Sequence, residues 1–211
     1  MRRLALIRAG VCCAVFLGAA AAGAHLRAVG GSLVDLLARS EGVVLVEVTA
    51  ATEDAPASRT QMRRIRSLGG VVPPEEFALG NALSPMRYAG GQKAIVVLTR
   101  ENDRWQAIQL AGEGLVLAPS EPDAATLAYV SALWKATHEA EPDGDLGLQL
   151  RGGLRLPHRK LRLLAALDLA ELAHHKPGLS PAARAALRKD LEDPELDPAA
   201  RLALSRALGD S

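Results

Sequence analysis

Four bulky apolar residues in a row, Val43 to Val46, followed by the alternation Glu47, Val48, Thr49, constrain this chain more than any other stretch. A β-branched, apolar run of that kind favours a strand. Residues 42–50, GVVLVEVTA, are therefore predicted to open a sheet. Residues 93–99, KAIVVLT, are its natural partner: an equally short apolar run that starts after Gly90-Gly91 and stops at Arg100-Glu101. Only 3% of the chain is aromatic, so the core has to be built from Leu, Val, Ile and Ala. The same scarcity, with a formal net charge of +1, disfavours a nucleic-acid partner, which needs stacking platforms and a basic excess.

The N-terminus reads as an address. Arg2, Arg3 and Arg8 form a basic region, residues 9–22 are uncharged and apolar, and Ala22-Gly23-Ala24 supplies the small residues of a cleavage site. Residues 1–24 are predicted to be a signal peptide cut before His25, with a periplasmic or extracellular destination. The apolar run falls short of the roughly 20 residues that a span requires. The membrane enters only in the alternative that the segment stays uncleaved as an anchor. Cys12 and Cys13 both lie in the leader, so the processed chain has no disulfide, thiolate nucleophile or thiolate metal ligand.

Further along, Ser32-Leu33-Val34-Asp35 has the form of a capping box that starts a short helix bearing Leu33, Leu36 and Leu37. Residues 59–68 return as a second strand, with Thr60 and Met62 on one face. Ile65 falls out of step across Arg63-Arg64, which predicts a β-bulge or an irregular edge. Residues 69–91 hold Gly69-Gly70, Pro73-Pro74, Pro85 and Gly90-Gly91 and are expected to form a long irregular loop, pinned by Phe77, Leu79, Met86 and Tyr88. Asn102-Asp103 is a turn from which residues 105–110 pair back, and residues 115–117 make a last short strand. Asp123 caps a helix reaching about His138 that buries Leu127, Val130, Leu133 and Trp134. Val44, Val46, Ile95, Val97, Ile108 and Trp134 are predicted core residues.

Residues 139–153, EAEPDGDLGLQLRGG, break the composition and read as a linker, with residues 146–150 as a small extra strand. The remainder is helical: first a helix from Pro157 to His174 with Leu161, Leu164, Leu167 and Leu172 on its apolar face, then a repeat. LSPAARAALRKDL, from Leu179, aligns without gaps on LDPAARLALSRAL, from Leu196, at a spacing of 17 residues. Ser180 and Asp197 take the N-cap, Pro181 and Pro198 the first helical position. Ala183, Ala186, Ala200 and Ala203 permit close contact, and such units have to stack to bury Leu187 and Leu204.

The order of helix SLVDLLARSE, strand GVVLVEVTA, basic second strand, Gly-Pro loop, YAGGQKAIVVLTR and RWQAIQL resembles the small OB-like or netrin-like barrels of exported bacterial proteins, over about residues 32–117. The netrin-like inhibitors of metalloproteinases use an N-terminal cysteine and disulfides, which the processed chain lacks, so that activity does not carry over. SPAARAAL and DPAARLALSRAL resemble HEAT-type repeats, which implies a scaffold or partner-binding surface. The expected architecture is α+β: a small, mostly antiparallel β-barrel with flanking helices in residues 25–138, a linker over 139–153, and a short HEAT-like helical segment over 154–211.

No catalytic, cofactor or metal residues are assigned. Glu171 and His174 share a helix face but lack HExxH spacing, and His174, His175 and Lys176 suit a helix C-terminus. G-x-S-x-G is absent, and Gly90-Gly91-Gln92-Lys93 lacks the spacing and hydroxyl of a phosphate-binding loop. Three readings follow. The first is a non-catalytic protein-binding or envelope-assembly module that engages a protein partner through its C-terminal helices. The second is an enzyme with the 69–91 loop as lid and Arg59, Arg63, Arg64 and Arg66 as an anion clamp, against which stands the plainer view of those arginines as charges on a solvated edge strand. The third is a copper or zinc site made by the new α-amine and the imidazole of His25.

Overall fold

The computed structural model describes residues 32–51, 60–80, 90–108, 122–138, 146–174 and 178–209. The leader, with Cys12 and Cys13, and His25, Arg59, Met86, Tyr88, residues 115–117, His175 and Lys176 lie outside the described residues. Helix α1 (Leu33–Ala38) starts where the capping pattern placed it, with Ser32 Oγ accepting from the Asp35 amide at 3.0 Å. Leu33, Leu36 and Leu37 are its buried side.

Five strands follow: β1 (Gly42–Ala51), β2 (Thr60–Gly70), β3 (Glu76–Leu79), β4 (Lys93–Glu101) and β5 (Arg104–Ala107). They close into a barrel in the order β1-β2-β3-β5-β4. Every pair is antiparallel except β3 with β5. The predicted pairing of β1 with β4 is present, with Leu45 opposite Ile95 and Val43 opposite Val97.

The apolar run of β1 is long because both of its faces are used. Val44, Val46 and Val48 join Met62, Phe77, Leu79, Val96 and Leu98 in one cluster, which fills the barrel. Val43 and Leu45, with Ile95 and Val97, point the other way into a larger cluster shared with the helices. Alternation on a pleated strand accounts for this division.

β2 runs against β1 with three register shifts, at Val43/Val44, Leu45/Val46 and Val48/Ala50. As the slipped pattern predicted, Met62 is buried while Ile65 is exposed. The expectation of an edge strand is corrected: β2 pairs with β3 through Thr60, Gln61, Met62 and Arg63, since closing the barrel gives its free side a partner. That partner also corrects the reading of residues 69–91 as wholly irregular. Glu76–Leu79 is a strand, and its alternate side chains Phe77 and Leu79 are the buried pins.

Two glycines of β2 permit its end to turn. Gly70 has φ +73, and a Cβ there would strike the Glu41 carbonyl oxygen. At Gly69 a Cβ would come within 2.5 Å of the Trp134 ring, so the missing side chain is what seats helix α2 (Ala124–His138) on the strand.

Asp123 caps α2 through Oδ1, which accepts from the Thr126 amide at 2.9 Å. Leu127, Val130 and Leu133 are buried as expected, but Trp134 and Ile108 are only half-buried. The Trp134 ring edge serves a polar purpose instead: Nε1 donates to Ser40 Oγ at 3.0 Å, and the ring stacks on His138 at 4.1 Å.

Beyond α2 the structure departs from the linker reading. Residues 139–145 lie outside the described residues, and the expected strand at 146–150 is helix α3 (Leu146–Gly152), followed by a 3-10 turn over Gly153–Arg155. Helices α4 (Arg159–His174), α5 (Pro181–Leu191) and α6 (Pro198–Leu208) complete the chain. Both repeat caps form, Ser180 Oγ accepting from the Ala183 amide at 3.0 Å and Asp197 Oδ1 from the Ala199 amide at 2.9 Å. Ala183, Leu187, Ala200 and Leu204 are buried in the cluster that also holds Val43 and Ile95. The equivalent arginines of the repeat play equivalent parts, Arg184 donating to the Ala173 carbonyl and Arg201 to the Asp193 carbonyl. Leu167, expected on the buried face of α4, is 45% exposed. Among the described residues no helix is long and apolar enough to cross a membrane.

Candidate binding cleft

The barrel closes through its two shortest strands. Asn102 and Asp103, at φ 50 and 59, form the two-residue turn that folds β5 back on β4, with Glu101 opposite Arg104. Positive φ at both central residues matches the right-handed strand twist, and Asn and Asp tolerate it better than other side chains. This turn sets Arg100 opposite Trp105, and the guanidinium carbon lies 5.3 Å from the indole centroid. Phe77 of β3 meets the same indole edge-on, with centroids 6.5 Å apart.

β3 and β5 touch through a single bridge, Leu79 to Trp105, reinforced by the Gly80 amide donating to the Trp105 carbonyl at 2.7 Å. Beyond this bridge no further register pair joins the two strands. A cleft of about 590 Å³ occupies the gap, walled by Val71, Val72 and Pro74 before β3, by β3 itself, and by Arg100, Asp103, Arg104 and Trp105. That volume suits a side-chain cluster or a small organic ligand. Val71 and Val72 are 48% and 51% exposed, a large apolar surface for two adjacent residues to leave in water.

The charges of the cleft are unevenly matched. Arg100 is 3.6 Å from Asp103 and lies on the indole. Arg104 has no ion-pair partner among the described residues. Glu76 brings a carboxylate to the β3 side. No histidine, cysteine or serine stands in the described wall, so it holds no nucleophile–base pair.

Of the arginines expected to form an anion clamp, the described ones, Arg63, Arg64 and Arg66, do not line this cleft. Arg63 is taken by Glu47 at 2.5 Å, which holds Glu47 below and Arg63 above its ordinary pKa through that hydrogen bond. Arg64 is half-buried and Arg66 exposed, and neither lines the cleft. The 69–91 segment does reach it, through residues 71–80. Glu171 and His174 are both exposed on α4. Among the described residues no group of three His, Cys, Asp or Glu side chains is placed to hold a metal ion.

Sequence reasoning missed Arg100, Arg104 and Trp105 because the turn was read only as a connection. The signal was there in Arg100 and Arg104-Trp105 flanking Asn102-Asp103, since a two-residue hairpin brings positions 100 and 105 face to face. Comparison with known proteins found no protein-family model, curated protein or solved structure that matches this chain.

Proposed function

We propose that the chain is an exported, non-catalytic protein-binding or envelope-assembly module, and that its barrel cleft holds an extended apolar segment of a protein partner bearing a carboxylate. One observation carries this reading: exposed Val71 and Val72, the Phe77–Trp105 pair and Arg104, which has no ion-pair partner among the described residues, converge on one concave seam. An extended segment laid along β3 gains apolar contact from the valines and the indole, and Arg104 supplies the charge that fixes its direction. Export is supported by the basic, apolar and small-residue order of residues 1–24. The five-stranded closure and the flanking helices support the likeness to OB-like barrels, and the 17-residue repeat supports the likeness to HEAT units.

The C-terminal helices are the other candidate surface for a partner. Leu187, Leu204 and Leu208 are consumed in packing, and Leu202 is the large apolar residue that α6 exposes, at 53%. The cleft therefore has more to offer a partner than the repeat does. The test is photo-crosslinking in cells with p-benzoylphenylalanine placed at Val72 or at Leu202. The expected result is a discrete protein adduct from position 72 that disappears when Arg104→Glu or Trp105→Ala is added. An adduct from position 202 alone would transfer the interaction to the helices, and equal adducts from position 72 with and without those substitutions would refute the cleft.

A further inference from the structure

Helix α2 ends against the corner that joins α1 to β1, and Ser40 is the residue it grips. The Ser40 hydroxyl donates to the Leu37 carbonyl at 2.6 Å and accepts from Trp134 Nε1 at 3.0 Å. The Ser40 carbonyl lies 3.0 Å from His138 Nε2. The imidazole is stacked on the Trp134 indole, with the ring planes 15° apart. The corner also reaches the barrel cleft, because the neighbouring Glu41 carbonyl accepts from the Val71 amide at 2.7 Å and Val71 lines that cleft.

Both ring nitrogens of His138 meet acceptors. Nε2 faces the Ser40 carbonyl, while Nδ1 is 3.0 Å from the Trp134 carbonyl and 3.0 Å from the Thr137 hydroxyl. That hydroxyl gives its own proton to the Trp134 carbonyl at 2.8 Å. A neutral imidazole has one N–H and one lone pair, so in either tautomer one nitrogen turns a lone pair on a carbonyl oxygen. Turning the Thr137 hydroxyl toward Nδ1 leaves the Trp134 carbonyl against the same nitrogen and takes away its hydroxyl donor. The imidazolium alone donates on both sides. Its charge suits the place as well: the last turn of α2 gathers unpaired carbonyls at the negative end of the helix dipole, and the indole face attracts a cation.

We infer that His138 is a proton-operated clasp, closed as the imidazolium and released on one side when the proton leaves, and that the corner at Ser40 and Glu41 loosens with it, together with the Val71 end of the cleft wall. Helix α2 packs on α1, β2 and α3. On α1 and the corner, Arg39 is 4.0 Å from Asp35, and the Glu41 carboxylate accepts from the Thr99 hydroxyl at 3.1 Å and the Arg100 amide at 2.8 Å. Towards the end of β2 the last charged residue is Arg66, on α3 Arg151 is held by Asp190, and Lys135 is the other cation in the last turn of α2. No ion pair among the described residues includes His138, so carbonyl oxygens and the indole answer its charge. The clasp stands whether or not the cleft takes a partner.

The test is amide hydrogen exchange and tryptophan fluorescence on the full chain from pH 5 to pH 8. With exchange rates corrected for their intrinsic dependence on pH, protection of the Val71 amide should fall by about tenfold across this range, the ratio that one charge-assisted hydrogen bond supplies. His138→Arg, whose planar cation stacks on the indole and donates at every pH, should hold that protection constant. The difference between the two proteins removes Asp168 and every other titration they share. In a Trp105→Phe background Trp134 is the one indole. An imidazolium stacked on an indole quenches its emission, so Trp134 emission should rise as one proton is lost, and His138→Gln should abolish the rise. Should Trp105→Phe fail to fold, the exchange of the native protein against His138→Arg decides alone. Val71 protection that falls equally in those two proteins, or that does not fall in the native one, overturns the inference, as does Trp134 emission that is flat with pH or whose pH dependence survives in His138→Gln.

Discussion

Replacing Asp168 with asparagine should change the pH dependence of stability in a direction opposite to that of an ordinary carboxylate. In the folded chain its carboxyl stands at about 6 against an ordinary 3.8, because burial disfavours the charged form more than Ser32 and Val34 favour it. A folded-state value above the unfolded one means that the native protein holds this proton more tightly. The stabilisation is complete below the unfolded value and is lost as the pH rises through about 6. The full loss is about 3 kcal/mol, of which about 1.4 kcal/mol falls between pH 5 and pH 8. The groups facing the carboxyl are Ser32 and Asp35 on α1, Tyr129 on α2 and Glu171 on α4, while α3 brings leucines. Glu47, Asp123 and Asp197 are held below their ordinary range, chiefly by hydrogen bonds from Arg63, Thr126 and the Ala199 amide respectively. Their stabilisation is present above the unfolded values and fades in acid. The difference between variant and native protein removes these common contributions. Urea unfolding followed by circular dichroism at pH 5, 6, 7 and 8 should show Asp168→Asn gaining on the native protein by about 1.4 kcal/mol across the series, about 1 kcal/mol of it between pH 5 and pH 6 and almost none above pH 7. A difference that stays flat, or one that falls as pH rises, would refute the account of Asp168 as a carboxylate held at a cost.

Ile95, fully buried between the barrel and the helices, should cost about 2 to 5 kcal/mol when cut to alanine, against under about 0.5 for exposed Arg66→Ala; similar urea midpoints would remove it from the core. Gly70→Ala should cost about 2 kcal/mol or more, from positive φ and the collision with the Glu41 carbonyl, whereas Gly90→Ala, with open space around it, should be nearly neutral. Asp190, buried and held by Arg151 and Arg155, should cost about 2 to 3 kcal/mol as alanine by leaving Arg151 half-buried and unpaired; Arg151→Met with Asp190→Leu should recover much of this in thermal melts.

The strands that were legible in the sequence are those whose pattern and packing agree. β1 and β4 are β-branched on both faces because both faces are buried, and no alternative structure uses such runs as well. β3 was not legible: four residues, two of them facing inward, become a strand only because β2 and β5 lie on either side. Helix α3 misled in another way. Leu146, Leu148 and Leu150 alternate as a strand would, yet the helix buries Gly147 and Leu150 and leaves Leu148 exposed. Over so short a stretch the period is ambiguous, and packing against α4 decides it.

α4 shows where local hydrophobicity fails as a guide to function. The apolar stripe expected from Leu161, Leu164, Leu167 and Leu172 would keep Leu167 inside and Asp168 in water. The helix does the reverse, with Leu167 exposed and Asp168 buried four residues after Leu164 on the same side. The buried arc of this helix takes in Leu164, Ala165, Ala166, Asp168 and Leu169, and Leu167, about 100° round from Asp168, falls outside it. Inward Leu167 would satisfy the hydrophobic rule with no carboxylate to desolvate. The observed choice hands the Val34 amide an acceptor 134 residues away and leaves Oδ1 buried without a hydrogen-bond partner among the described residues. The hydrogen bonds from Ser32 and Val34 at the start of α1 favour the charged form, yet burial outweighs them and the carboxyl stands at about 6.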